Sequence, residues 1–147
     1  MDIITASWST KLPAGYARIG ISRGSPRGQS GYKMYRALQP GAWFRTADPR
    51  EYRQLYMDML DHLSPWQVLN EMHWLADGKT PALLCFENSR PNANWCHRGY
   101  VSAWLLQEIG LSVEEYKQPG VGWSHPKIPP EFRVTEAVPL LSHGERL

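Results

Sequence analysis

The sequence predicts one small α/β domain, a mostly parallel sheet flanked by helices in a Rossmann-like three-layer arrangement. Three observations carry that prediction. Pro81-Ala82-Leu83-Leu84-Cys85-Phe86 is an unbroken apolar run of strand length, the pattern of a strand buried on both faces of a parallel sheet. Two helices with complete start signals precede it, and a polar loop with a third helix follows it, the succession of a βαβ crossover. The chain has 147 residues, 42% of them hydrophobic, which is enough to bury a core without disulfide staples or an obligatory metal.

Ile3-Ile4-Thr5-Ala6-Ser7 and Ala17-Arg18-Ile19-Gly20-Ile21-Ser22 read as short strands separated by the turn-forming Lys11-Leu12-Pro13-Ala14-Gly15. The second runs into Arg23-Gly24-Ser25-Pro26-Arg27-Gly28-Gln29-Ser30-Gly31, a glycine-rich stretch that brings backbone and cations close to a ligand or simply connects two elements. It has neither G-x-G-x-x-G nor G-x-x-x-x-G-K-[ST] spacing, and no bound cofactor is expected. Leu38 to Arg45 reads as a second loop, carrying Trp43 and Phe44. Asp48-Pro49-Arg50-Glu51 and Ser64-Pro65-Trp66-Gln67 each place an N-cap and a first-turn proline. Tyr52, Leu55, Tyr56, Met59, Leu60 and Leu63 then form the core stripe of one helix, and Val68, Leu69, Met72 and Leu75 that of the next, which stops at Gly78. His62 and His73 on these helices read as surface or packing residues. After the loop Glu87 to Asn94, a third helix capped by Asn94 is expected from Trp95 or Cys96 to Ile109, ended by Gly110. Residues 1–117 are assigned to the α/β domain and 118–147 to an irregular Pro/Gly-rich tail.

Charge divides the chain. From Ile3 to Ala47 there are seven cations (Lys11, Arg18, Arg23, Arg27, Lys33, Arg36, Arg45) and no carboxylate, with Tyr16, Tyr32, Tyr35, Trp43 and Phe44 interleaved. Up to Arg53 nine cations face three acids, and beyond it seven face eleven. An anionic partner is the natural implication, although such a run also serves to solvate a surface or to pair with the acidic half. No apolar run reaches membrane-helix length and the first residues do not form a signal peptide, so a cytoplasmic protein without a membrane partner is expected, with Cys85 and Cys96 as thiols or ligands rather than a bridge.

The densest set of reactive side chains is Cys85-Phe86-Glu87 followed by Trp95-Cys96-His97-Arg98. One crossover places them at the same edge of the sheet. Cys96 and His97 are expected in the first turn of the helix, where free N–H groups favour an anion and lower a thiol pKa. In this reading Glu87 is a general base or orienter, His97 an acid or base, Cys96 a thiol of lowered pKa in the same site, and Arg98 joins Arg23 and Arg27 in an anion clamp. Trp43 or Trp95 stacks a base. Three alternatives stand beside it: a zinc site of Cys85, Cys96 and His97 with Glu87 or His125 as a fourth ligand, a reversible Cys85–Cys96 disulfide, or two cysteines that are only core residues.

Arg18-Ile19-Gly20-Ile21-Ser22-Arg23 with Pro26-Arg27-Gly28, then Ala82-Leu83-Leu84-Cys85-Phe86-Glu87 and Cys96-His97-Arg98, resemble the bacterial "domain of unknown function 488" family over about residues 1–110. The resemblance implies a small α/β domain in which Cys85, Glu87, Cys96, His97 and Arg98 belong to one recurring motif. It implies no particular reaction, and the chain from about Leu111 departs from the pattern. The functional expectation is therefore an enzyme or binding domain for a phosphate-bearing ligand, a nucleotide or nucleic acid. The alternatives are a non-catalytic nucleic-acid or protein interaction module, and a zinc or thiol redox protein.

Overall fold

Among the described residues five strands form one all-parallel sheet: β1 (Ile4–Ser7), β2 (Tyr16–Gly20), β3 (Tyr32–Met34), β4 (Thr80–Cys85) and β5 (Glu114–Glu115), in the order β3-β2-β4-β1-β5. The structure is a computed structural model and describes residues 2–86 and 95–134. β4 carries the expected apolar run and pairs on both sides, Ala82 lying between Ile4 of β1 and Arg18 of β2. Every residue from Pro81 to Cys85 is buried, as that central place requires. β3 and β5 were not expected: three residues and two acids are too short and too polar to show a strand period.

The two capped helices form where their signals place them. In α1 (Pro49–Asp61) the Asp48 side chain accepts from the Glu51 N–H at 2.8 Å, and in α2 (Pro65–Ala76) Ser64 accepts from Gln67 N–H at 3.2 Å. α2 ends on Asp77, left-handed at φ 50°, with Gly78 at φ 90° after it. The third helix, α3 (Arg98–Ile109), starts later than expected. Asn94 lies outside the described residues, His97 is the N-cap, and Gly99 N–H donates to Cys96 O in a tight turn ahead of the helix. Cys96 and His97 therefore stand just before α3 rather than within it.

All three helices share one apolar cluster with Ile3, Ile19, Ile21, Leu83 and Cys85, which alternate to one face of the sheet. α3 is buried on every side from Arg98 to Leu105. The other face holds Ala6, Trp8, Ala82 and Leu84, with Leu12, Tyr16, Tyr32, Met34 and Tyr116 packed on it. Among the described residues that layer is built from side chains of connecting segments and strand neighbours rather than from a helix. The loop expected from Leu38 to Arg45 contains one 3-10 turn, Ala42–Arg45, and another, Arg36–Leu38, ends at its first residue.

The segment after β5 has only a 3-10 turn at Gly122–Ser124, yet it puts His125 and Ile128 fully inside the protein. It is strapped across α3: Cys96 N–H donates to Lys127 O, and Gly122 N–H to Ser102 Oγ, which itself donates to Val113 O. Among the described residues no helix is long and apolar enough to cross a membrane.

Candidate functional site

The C-terminal end of β4 delivers Cys85, and the turn before α3 delivers Cys96 and His97. The two cysteines meet and are joined by a disulfide spanning a sequence separation of 11. This differs from the expectation of free thiols or ligands and realises the bridge that the crossover geometry left open. Strand end and helix start converge on one point, and the sulfur of each residue is turned toward the helical side of the sheet. Cys85 is fully buried and Cys96 is 5% exposed.

Each sulfur has a polar neighbour. Arg98 Nη1 donates to Cys85 Sγ at 3.2 Å and to Cys85 O at 3.4 Å. His97 Nδ1 lies 3.6 Å from Cys96 Sγ. The His97 tautomer follows from its other nitrogen: Nε2 is 2.8 Å from Ile21 O, a pure acceptor, so Nε2 carries the proton and Nδ1 turns a lone pair to the sulfur. Burial lowers the His97 pKa to about 4, against the raising effect of the Ile21 carbonyl, so the ring is neutral near pH 7.

Arg98 is fixed by a carboxylate that the sequence reading did not single out. Its Nε and Nη2 each donate at 2.8 Å to Glu115 Oε1 and Oε2, a bidentate pair with side-chain exposures of 0% and 5%. Burial pushes the Glu115 carboxyl up, but the Arg98 hydrogen bonds and charge outweigh it and hold the carboxyl below its ordinary value. Thr5 and His125 complete the network. Lys127 N–H donates to His125 Nδ1, which puts the proton of the neutral ring on Nε2. Nε2 then donates to Thr5 Oγ1 at 2.7 Å, and Thr5 donates to Glu115 Oε1 at 2.8 Å. Burial lowers the His125 pKa to about 4, the Glu115 charge opposing it. One signal in the sequence could have found Glu115: an arginine at the head of an apolar helix needs a buried carboxylate partner, and Glu114-Glu115 follow that helix.

The other expected residues are dispersed. Arg98, placed by the sequence in an anion clamp with Arg23 and Arg27, is instead wholly inside and committed to Glu115 and Cys85. Arg23 donates to Pro40 O at 3.2 Å and lies over the Phe44 ring, and Arg27 is exposed on the loop between β2 and β3. Trp95, 7% exposed, packs edge-on against Tyr52 with half-buried Trp43 on the same ring, so both tryptophans brace a core tyrosine. Glu87 lies outside the described residues. Cys85, Cys96 and His97 remain one group, their ligand-type atoms within 4.8 Å of one another. No protein-family model matches the chain, and searches of curated proteins and of solved structures return no significant match.

Proposed function

We propose that Cys85 and Cys96 form a reversible dithiol–disulfide centre, which selects the thiol redox reading among the functional alternatives. The supporting observation is the asymmetric surroundings of the bonded pair: a guanidinium on Cys85 Sγ and a neutral imidazole lone pair beside Cys96 Sγ. In the reducing direction a thiolate of an external thiol attacks Cys96, the less deeply buried of the two residues. The S–S bond breaks, and the electron pair leaves on Cys85, where the Arg98 hydrogen bond and charge stabilise the thiolate. A second external thiolate attacks the external sulfur of the mixed disulfide and releases Cys96 as a thiolate. Each thiolate then takes up a proton, so two external thiols are oxidised to one disulfide for two electrons and two protons. Among the described residues His97 Nδ1 is the nitrogen lone pair set beside Cys96 Sγ to receive its proton in the reverse direction. The resemblance noted from the sequence groups the same residues.

The test is a redox titration of the purified chain with dithiothreitol or glutathione buffers, trapping free thiols by alkylation. Two thiols appearing together at a poise of about −180 to −270 mV, the range of thiol–disulfide catalysts, support the proposal. A pair that stays oxidised far below that range, or fully reduced far above it, overturns it.

A metal-ion site is the second reading, favoured by the ligand-type atoms of Cys85, Cys96 and His97 within 4.8 Å and by the Ile21 carbonyl that frees Nδ1 for coordination. A metal and a disulfide exclude each other. Stoichiometric zinc in protein purified with a non-chelating reductant decides for the metal, and zinc-free dithiol decides for redox chemistry.

A further inference from the structure

The opposite end of the sheet holds a cleft of about 540 Å³ between the starts of β2 and β3 and the C-terminus of α2. Its volume lies in the range of small-molecule sites, roughly 300–1,000 Å³. Arg18, Lys33 and Lys79 line it, with Asp77 as the acid among them. Arg18 and Lys33 are satisfied by neutral groups. Arg18 donates to Thr10 O at 3.0 Å, Trp8 O at 2.8 Å and Gln29 Oε1 at 2.9 Å, and Lys33 donates to Leu75 O at 3.2 Å. Among the described residues the salt bridges all involve Glu115, so none of these three cations is paired with a carboxylate, and the cleft keeps a net positive charge.

Two aromatic rings share the cleft. Tyr32 is held edge-on against Trp8, centroids 5.0 Å apart, and Tyr16 edge-on against Tyr116 at 5.8 Å. Rings braced in this way are set before a ligand arrives, which reduces the ordering cost of stacking on them. A positive field, two fixed planar rings and this volume together match one chemistry.

We infer that this cleft binds a nucleotide unit, its base against Tyr16 or Tyr32 and its phosphate drawn by Lys33, Lys79 and Arg18. The unit is either a free mononucleotide or one residue of a single strand. The site is independent of the thiol centre, and it places the phosphate-bearing ligand away from the edge where the sequence put it.

The experiment is an amide NMR titration of the ¹⁵N-labelled full chain at low salt with AMP, inorganic phosphate and an eight-residue adenylate RNA. The expected result is AMP-dependent shifts centred on Ala14, Gly31 and Asp77 to Lys79. Lys79→Glu should weaken AMP binding by about tenfold, equivalent to about 1.4 kcal/mol. Arg23→Gln, on the loop leaving the other end of β2, should leave it within about twofold. Tyr32→Leu should weaken AMP without altering phosphate, its amide dispersion reporting that it is folded. RNA binding tighter than AMP assigns the site to a single strand, and equal binding assigns it to the mononucleotide; either supports the inference. It is overturned by no shifts at millimolar AMP, by phosphate acting as strongly as AMP, by unchanged affinity in Lys79→Glu, or by shifts centred on residues 21–24.

Discussion

Replacing Glu115 with Gln removes one charge and almost no volume, and it tests whether the Arg98 pair supports the fold. Arg98 has no solvent exposure and makes two 2.8 Å bonds to the Glu115 oxygens. Breaking a buried pair on one side costs about 3–5 kcal/mol, because the remaining charge has lost its compensation. The Gln carbonyl oxygen keeps the acceptor shared by Thr5 and Arg98 Nε, while its NH2 turns a donor on Arg98 Nη2, so the expected loss is at least the lower figure, about 3 kcal/mol. With a urea slope of about 1.5–2 kcal/mol/M for a chain of this size, the unfolding midpoint should fall by about 1.5–2 M. The assay is urea unfolding followed by tryptophan fluorescence, with identical slopes in both proteins. The double variant Arg98→Met with Glu115→Leu should recover most of the loss, since both charges are then gone. A midpoint shift under about 0.5 M for Glu115→Gln, corresponding to under about 1 kcal/mol, refutes the reasoning.

Acid should weaken the fold in a defined window. His97 and His125 are both lowered to about 4, so below their ordinary value near 6.5 the unfolded chain binds protons that the native state refuses. Stability should be flat above pH 6.5 and fall by about 2 kcal/mol per histidine by pH 5, with Glu115, whose pKa is also lowered, adding its loss only below the ordinary carboxylate range. A urea midpoint unchanged between pH 7.5 and 5 contradicts this. Reduction should destabilise the protein by up to about 3 kcal/mol through the loop the disulfide closes, read as a lower melting temperature in dithiothreitol. Identical melting with and without reductant, at a confirmed change in thiol count, contradicts it. Gly99→Ala should lower stability although alanine ordinarily favours a helix. Its Cβ would stand 2.7 Å from backbone atoms of Lys127 and Ile128, and a variant as stable as the parent would show that the strap across α3 gives way easily.

What could be read from the residues was what depends on local chemistry. Asp48-Pro49 and Ser64-Pro65 start helices because an N-cap oxygen and a fixed φ act over a single turn. The run ending at Cys85 is central because nothing polar interrupts it. The meeting of Cys85 with Cys96 followed from strand, loop and helix in sequence, since one crossover returns the chain to the same edge. The role of Trp95 was not legible, and for Arg98 its place at the head of an apolar helix was the one pointer to a buried carboxylate. An arginine otherwise reads the same whether it faces a ligand or a buried carboxylate, and Glu115 reaches it through a two-residue strand with no periodic signal. His125 was visible as a reactive residue, but its partner Thr5 is at the other end of the sequence. The edge of the sheet that carries Tyr16, Tyr32 and Lys79 depends on the same long-range pairing.

The strand order has a kinetic consequence. Both neighbours of β1 come later in the chain: Ile4 pairs with Ala82 on one side and with Glu114 on the other. During synthesis at about 5–20 residues per second, the Ile3 to Ser7 segment waits roughly 4–16 s for β4 and roughly 5.5–22 s before both of its partners exist. Loop closure over such separations is costly and slow, so the sheet cannot grow outward from its first strand. The helices α1 and α2 with β2 and β4 are the part able to form early, leaving a slot that β1 fills. In the finished molecule that late strand carries Thr5, so the hydrogen bonds around Glu115 are completed by one of the first segments made and one of the last to dock.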